Sequence, residues 1–538
     1  MAEHPEKTAP FRRWRIVAIV PLLLMIALSS WAVASPVGGA PDENFHIASI
    51  WCGAGDRPGL CETDSDEPGK LVPWGTVGAQ CFAFRPDIPA SCQEDVLGSN
   101  PERLVLTEHV NATARFYSPI YYAVMSPLAS TNVPASVVAI RILNALIFVL
   151  IASTLFFLLP VRRRPLLVVS MAVTLVPWGI YLLASVNPNG WAVLAGGTLW
   201  LAVLGFMETT GKRRVALGVV AAITAVIGAG ARSDMAAYAV LGMVAAVVLA
   251  GKTQRGRRFW LSLILPAVLS VVCFLLFLSA QQIGIWQNGA APGSGGSARQ
   301  GLGLLAYNLL NLPSLWVGSL GTWPLGWNDA AIPPFVWVGT MFVASAAIFT
   351  GIAMMAPRKL LVLAVTAVAL VVLPLYLLQR SGTEVGGLVH PRYLLPLIIM
   401  FVGFAIFPVG RRLVRLTRLQ MWVAVAVLSI ANSVAMYSNI RRYTLAGDPG
   451  VWLSSEESWW WEAGVPQPIV VWIFGSVAFA ATLAVLAQTM FLDRAAADLA
   501  SFDEVGDRVA ARAHDSSSIL DSVDGDPANA GRGPRSNT

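Results

Sequence analysis

Residues 12–46 read RRWRIVAIVPLLLMIALSSWAVASPVGGAPDENFH. Arg12, Arg13 and Arg15 lead into roughly nineteen mostly apolar residues from Ile16, about the length that crosses a bilayer as a helix. Within a few residues the run gives way to two adjacent carboxylates, Asp42 and Glu43, and then to His46. Basic residues ahead of such a run place that end in the cytoplasm by the positive-inside rule. The acidic motif is therefore expected outside. The same stretch also resembles a signal peptide with Ala32-Val33-Ala34 at its cleavage site. Because the run is long enough to span, a retained first helix is favoured; cleavage would leave the later spans oriented as before.

The rest of the chain repeats this pattern. Of 538 residues, 56% are hydrophobic and only 13% charged, with a mean hydropathy of +0.63. Soluble domains carry about 25% charged residues, so lipid is the expected solvent, and collagen, coiled-coil and disordered classes are excluded. Apolar runs begin near Ile16, Val133, Leu166, Gly190, Val215, Met235, Phe259, Phe335, Leu360, Leu394, Met421 and Ile469. They predict an all-α polytopic membrane protein of about twelve transmembrane helices. Every second loop is basic: Arg162 to Arg164, Lys212 to Arg214, Lys252 to Arg258, Arg358 with Lys359, and Arg411 to Arg418. The net charge of +6 is thus a topology signal and not a nucleic-acid signal. The expected organisation is a cytoplasmic N-terminus over 1–15 and a transmembrane domain over 16–491. External segments fall at 35–132, 281–334 and 438–466. A disordered cytoplasmic tail, with nine acids against five bases, covers 492–538.

The first external segment is acidic and holds Cys52, Cys61, Cys81 and Cys92, while Cys273 lies alone in an apolar run. No CxxC knuckle is present, so zinc is disfavoured. Two disulfides are expected, with three connectivities open. The aromatic stretch from Phe116 to Leu128 reads as an interfacial segment. In the second segment, Asn288 to Ser297 should be flexible and Leu302 to Leu312 re-entrant or interfacial. In the third, Trp452 and Trp459 to Trp461 read as interfacial anchors or as an aromatic platform for a sugar or lipid.

Chemistry is expected at the outer helix ends, where ionisable residues are costly and usually functional. Asp42 and His46 share a face at i, i+4 if their segment is helical. Acids there also suit an N-terminal cap, and the two readings stay open. Further polar groups gather at Asn187, at Arg232 with Asp234, at Arg380, and at His390, Arg392 and Tyr393; Asn328 and Asp329 add a weaker signal. Arg232, Arg380 and Arg392 break the positive-inside pattern, which suits an anion such as a lipid phosphate. The plain alternative is a salt bridge, Arg232 with Asp234 being the obvious pair. Walker, dinucleotide-glycine, HExxH, GxSxG and kinase motifs are absent. Asn111-Ala112-Thr113 matches a glycosylation sequon and is discounted as a chance match.

Pro41-Asp42-Glu43 with His46, Arg392-Tyr393-Leu394-Leu395-Pro396 and Arg141-Ile142-Leu143-Asn144 resemble motifs of a bacterial family of predicted membrane proteins, domain of unknown function 2142. That family in turn resembles the GT-C glycosyltransferases, polytopic enzymes with an acidic motif in the first external loop and polyprenyl-phosphate sugars as donors. The resemblance implies a bacterial plasma-membrane enzyme with both termini cytoplasmic. It would transfer a sugar from a polyprenyl-phosphate donor to a cell-envelope glycan or lipid acceptor.

Such a transfer needs one carboxylate to take the acceptor's proton and cations to hold the leaving phosphate. Asp42 or Glu43 is the expected base, Asp42 preferred. His46, Asn187, Arg232, Asp234, Arg380, His390, Arg392 and Tyr393 are expected around the substrate. No cofactor is demanded, and a divalent metal is compatible with this many acids. The rival readings are a transporter or flippase, which should carry charges near the bilayer midplane and two related halves, and a non-catalytic scaffold presenting the cysteine lobe.

Overall fold

The computed structural model describes residues 18–64, 66–98, 102–251, 256–280, 297–409, 416–447, 450–453, 459–461 and 464–491. The expectations for 1–15, 492–538, most of 288–297, Lys252, Arg255, Arg411, Arg412 and Arg415 lie outside the described residues. The described residues up to Leu486 form one compact unit.

Helices dominate because long apolar runs satisfy their own backbone in lipid only that way. α1 is Val20–Val33. After the lobe described below come α2 to α4: Glu43–Trp51, Ile120–Met125 and Val133–Leu158. Asn132 caps α4 by accepting from the Ala135 N–H, with Pro134 in the first turn. α5 (Arg164–Leu175) and α6 (Trp178–Leu183) are one apolar stretch broken at Val176-Pro177. α7 (Asn189–Glu208), α8 (Gly211–Ala231), α9 (Ser233–Ala250) and α10 (Arg257–Ser279) follow. α11 (Gly301–Asn311) and α12 (Pro313–Val317) are short. α13 (Pro334–Ile352), α14 (Pro357–Ser381), α15 (Pro391–Ala405), α16 (Arg418–Thr444) and α17 (Pro468–Phe491) complete the chain.

Among the described residues, nine helices are long and apolar enough to cross a membrane, and α1 and α15 are shorter apolar helices. The predicted segments from Val133, Gly190, Val215, Met235, Phe259, Phe335, Leu360, Met421 and Ile469 are the nine. Those from Ile16, Leu166 and Leu394 come out as α1, the broken α5–α6 pair and α15, each below spanning length as described. α7 is the axis of the bundle: it packs on α8, α9 and α15 and is buried over nearly its whole length. Its closeness to α15 depends on Gly196, where a Cβ would meet the Pro396 backbone at 2.8 Å. Small residues at such crossings let helices in lipid approach. α10 and α14 leave most of their apolar surface exposed.

The lobe between α1 and α4 contains α2, α3 and a two-stranded antiparallel sheet. Its strands are β1 (Lys70–Pro73) and β2 (Leu104–Thr107), with Lys70 opposite Thr107. Cys52 pairs with Cys61 and Cys81 with Cys92, while Cys273 is unpaired and buried. The lobe holds more apolar packing than its polar sequence suggests. Trp51, Phe82, Tyr121 and Tyr122 join Trp191 and Tyr443 of the helices in one cluster.

Two sequence expectations are corrected here. The Phe116–Leu128 stretch does not lie along an interface as a whole, because Tyr121 and Tyr122 are buried and hydrogen-bonded to Asn144 and His46. Trp460 and Trp461 are neither exposed anchors nor an open platform. Both are buried, and the Trp461 indole donates to the Val33 carbonyl at 2.7 Å.

The burial of Cys273 and the consecutive pairing in the lobe set a direct test. Non-reducing peptide mapping should recover Cys52 linked to Cys61 and Cys81 linked to Cys92, with Cys273 alkylated only after unfolding. Recovery of a Cys61–Cys81 peptide would overturn the pairing.

Candidate functional site

The segment between α1 and α2 is held through its own carbonyls. Arg141, buried in the first half of α4, donates from Nη1 to the Ala32 and Ser35 carbonyls at 2.9 and 2.6 Å, and from Nη2 to Pro36 at 2.7 Å. Asn439 Nδ2 donates to the Ala34 carbonyl at 2.7 Å. The Trp327 indole donates to the Gly38 carbonyl, and the Tyr181 and Tyr443 hydroxyls both donate to that of Gly39, all at 2.9 Å. Asn187 Nδ2 donates to the Pro41 carbonyl at 2.8 Å. A segment with this many external donors has little freedom left. Asp42, its last residue, takes φ 61° in the left-handed region, a conformation that costs a side-chain-bearing residue on the order of 1–3 kcal/mol and persists where the surroundings impose it.

That backbone turn parts the two carboxylates. Glu43 opens α2 and points inward, 0% exposed, in a bidentate pair with Arg141 at 2.7 and 3.2 Å. It also accepts from the Val186 and Ala40 N–H groups at 2.8 and 3.2 Å. Asp42 occupies the N-cap of α2 without a side-chain hydrogen bond to the helix, while Glu43 supplies the acid in the first turn that suits the helix dipole. The Asp42 carboxylate, 40% exposed, accepts from Arg392 Nη2 at 2.7 Å. Burial by itself would raise the Asp42 pKa. The charges of Arg392, His46, His390 and Arg232 outweigh it and hold the group below the ordinary 3.8.

Asp42 opens into a cavity of about 310 Å³. Arg232, Asp234 and Tyr393 line it with Asp42. Arg232 sits at the α8–α9 junction in a bidentate pair with Asp234 at 2.8–2.9 Å, so the plain salt-bridge reading is realised. The pair leaves capacity unused, since Arg232 Nη1 is buried without a hydrogen-bond partner among the described residues. The guanidinium lies 4.2 Å from the centre of the Tyr393 ring and 5.8 Å from that of Tyr117. Arg392 flanks the other contact of Tyr393, at 5.0 Å from its ring and 3.2 Å from its hydroxyl. His390 stacks edge-on with Trp323 and Tyr393, and burial first, then Arg392, pushes its pKa down.

His46 lies behind the cavity wall on α2. Burial pushes its pKa down to about 3, so the ring is neutral. Its Nδ1 is 3.0 Å from the Tyr122 hydroxyl, and its Nε2 has no partner among the described residues. Arg380 stands apart: it occupies the exposed last turn of α14 and does not line the cavity, which α14 reaches only as far as Leu377. Asp329 is also elsewhere, paired with buried Arg442 at 2.7 Å.

The cavity includes residues that sequence reasoning did not single out, notably His109 and Tyr238. No spacing rule reaches His109. Arg141 did carry a signal, because a charge inside an apolar run is functional or structural by default. Among the described residues no cluster of three or more His, Cys, Asp or Glu could hold a metal ion. The arrangement pairs one exposed carboxylate with two buried cations, so it can bind an anion and accept a proton side by side.

In comparisons with known proteins, a family model described as predicted membrane protein (DUF2142) matches residues 22–402. No curated protein and no solved structure matches the chain.

The two carboxylates should separate by stability. Removing one partner of a buried pair costs about 3–5 kcal/mol, because the other charge is stranded. Arg141→Met or Glu43→Gln should therefore sharply lower the melting temperature or the folded yield. Asp42 is 40% exposed, so in Asp42→Asn water can stand in for the lost charge beside Arg392, and melting should stay within about 3 °C of wild type. Equal losses in all three variants would contradict this division.

Proposed function

The chain belongs to the DUF2142 family of predicted membrane proteins, and we propose that it is an inverting glycosyltransferase of GT-C type. It moves a sugar from a polyprenyl-phosphate donor to a hydroxyl acceptor at the membrane face that carries the disulfide lobe. The observation that carries this reading is one cavity lined by Asp42 and Arg232, in which Asp42 is ion-paired with Arg392 and the Arg232 Nη1 is buried without a partner among the described residues. An anion supplies the missing acceptor. The apolar wall from Leu373 to Leu377 of α14 beside it suits a phosphate that carries a lipid chain.

On this reading the donor phosphate binds to Arg232 Nη1 and shares Arg392 with Asp42. Drawing Arg392 toward the phosphate weakens its hold on the Asp42 carboxylate and raises its proton affinity at the moment a base is needed. The acceptor oxygen attacks the anomeric carbon, its proton passes to Asp42, and the bond from that carbon to the phosphate oxygen breaks. The leaving phosphate monoester, with a second pKa near about 6, departs as an anion without a general acid. The two arginines hold the charge that develops on it. Glu43 and Asp234 are committed to Arg141 and Arg232, which leaves Asp42 as the base and favours a single displacement with inversion. Glu43, Arg141 and Asn187 position Asp42, and His390 and Tyr393 position the two cations.

The disulfides support an external lobe, since they form in oxidising compartments. Counting α1, α5–α6 and α15 as crossings gives twelve spans with both termini in the cytoplasm of a bacterial cell. The partners are then the lipid-linked donor, a cell-envelope acceptor and the bilayer.

Asp42→Asn should lower the rate of transfer by about 10²- to 10⁴-fold, the usual worth of a general base, while donor binding persists. Arg232→Ala should weaken donor binding as well. Retention of full transfer by Asp42→Asn would sink the assignment.

The pH profile gives a separate check. kcat/KM for the donor reports ionisations of the free enzyme, in which Asp42 is held below 3.8. A depressed carboxylate stays ionised above its folded pKa and loses function only as pH falls through it. The acid side should therefore be flat from about pH 8 down to about pH 5. An inflection near 6.5, the ordinary value of histidine, would contradict a base held this low.

A further inference from the structure

The cavity has two unlike walls. Leu373, Pro374 and Leu377 of α14 form one, and His109, Phe116 and Tyr117 of the lobe form the other. The lobe wall is built with care. Asn111 is buried, and its side-chain amide takes up both backbone groups of Tyr117: Nδ2 donates to the carbonyl at 2.9 Å and Oδ1 accepts from the N–H at 2.8 Å. The Asn111 N–H donates to Ser49 Oγ at 2.8 Å, which ties this loop to the helix that begins after Asp42. Between these anchors Arg115 occupies the left-handed region at φ 49°, sparsely populated for residues with a side chain.

As a result Phe116 lines the cavity yet stays 42% exposed. The Phe116 ring is therefore open to a guest in the cavity. His109 borders the same space. Its ring centre is 5.0 Å from that of Phe45, which in turn lies 6.2 Å from Phe116. Burial lowers the His109 pKa from 6.5 more than Asp42 raises it, so the neutral imidazole offers one donor and one acceptor.

We infer that His109 and Phe116 form a pyranose-binding subsite for the acceptor, in which the C–H face of a sugar ring lies on Phe116, His109 hydrogen-bonds one hydroxyl, and another hydroxyl meets Asp42. This rests on the transferase reading and narrows its acceptor to a glycan. A sugar ring has one apolar face and an edge of hydroxyls, which matches an aromatic ring beside an imidazole. A lipid alcohol would instead compete for the aliphatic wall that the donor chain needs. Aromatic rings are suited to this role because they present large rigid surface next to polar groups.

The test separates the subsite from the chemistry. Full-length protein in nanodiscs is titrated with methyl α-mannopyranoside, methyl α-glucopyranoside and methyl β-galactopyranoside, and saturation transfer to the ring protons is read by NMR. At least one glycoside should bind to wild type. Phe116→Ala and His109→Ala should each weaken that binding about tenfold, equivalent to about 1.4 kcal/mol. Phe116→Tyr and His109→Gln, which keep the ring and the hydrogen-bonding capacity, should restore it. Absence of transfer to every glycoside, or equal binding in wild type and Phe116→Ala, overturns the subsite. Transfer of sugar from synthetic polyprenyl-phosphate hexoses is measured in parallel. Glycoside binding that depends on Phe116, in a protein that turns over none of these donors, upholds the subsite and removes the transferase reading.

Discussion

Arg141 is the side chain on which the site depends. Its guanidinium is fully buried, pairs with Glu43 and reaches the Ala32 carbonyl at the end of α1 and the Ser35 and Pro36 carbonyls of the connecting segment. A buried ion pair is a weak source of net stability, because desolvating two charges offsets their attraction. Its value here is geometric. A planar fork with five donors in fixed directions imposes one path on a chain that has no regular structure of its own. Once Glu43 is pulled inward, the backbone must turn sharply at Asp42, and the left-handed φ there turns the second carboxylate the other way. Two adjacent acids thereby acquire opposite roles.

The electrostatics of the cavity follow from that separation. Asp42 and Asp234 face Arg392 and Arg232, so the four charges balance, yet their hydrogen-bonding capacity does not. Arg232 Nη1 and Arg392 Nε are buried donors without partners among the described residues. Unsatisfied buried donors are expensive, each costing about 1–3 kcal/mol, so both favour an acceptor beside them. Tyr393 stands between the two guanidinium groups and spaces them by contact with its ring. That keeps both cations near one anion without pairing them with more acid.

The lobe is fastened to the helices by a second arginine that uses the same device. Arg442, near the end of α16, donates to the Phe82, Arg85 and Ile88 carbonyls and to Asp329. The three carbonyls all belong to the loop closed by Cys81 and Cys92. The next residue, Tyr443, donates its hydroxyl to Gly39, three residues from Asp42. Disulfide, arginine and the loop that carries Asp42 thus form one connected set of contacts. It explains why a lobe with so little regular sheet presents His109 and Phe116 at a defined place.

Much of this protein was legible in its sequence because lipid is a demanding solvent. Runs near twenty apolar residues have only the helix open to them, so Val133, Gly190, Phe259 and Leu360 announced their helices directly. The sequence likewise marked Asp42, Arg232 and Arg392 as charges that a membrane boundary would not tolerate idly, and these three do meet. What it did not contain was direction. Asp42 and Glu43 are chemically near-equivalent neighbours, and only the Arg141 fork, almost a hundred residues away in the chain, decides which one is sealed and which one faces the cavity. Arg380 looked as suitable as Arg392, but α14 carries it past the cavity mouth. His109, Trp460 and Trp461 have the composition of a surface loop, and tertiary packing alone puts the first at the site and buries the other two. Periodicity and charge are local properties of a chain; convergence of groups hundreds of residues apart is set by which side chains can satisfy which buried carbonyls, and that is known only once the helices have packed.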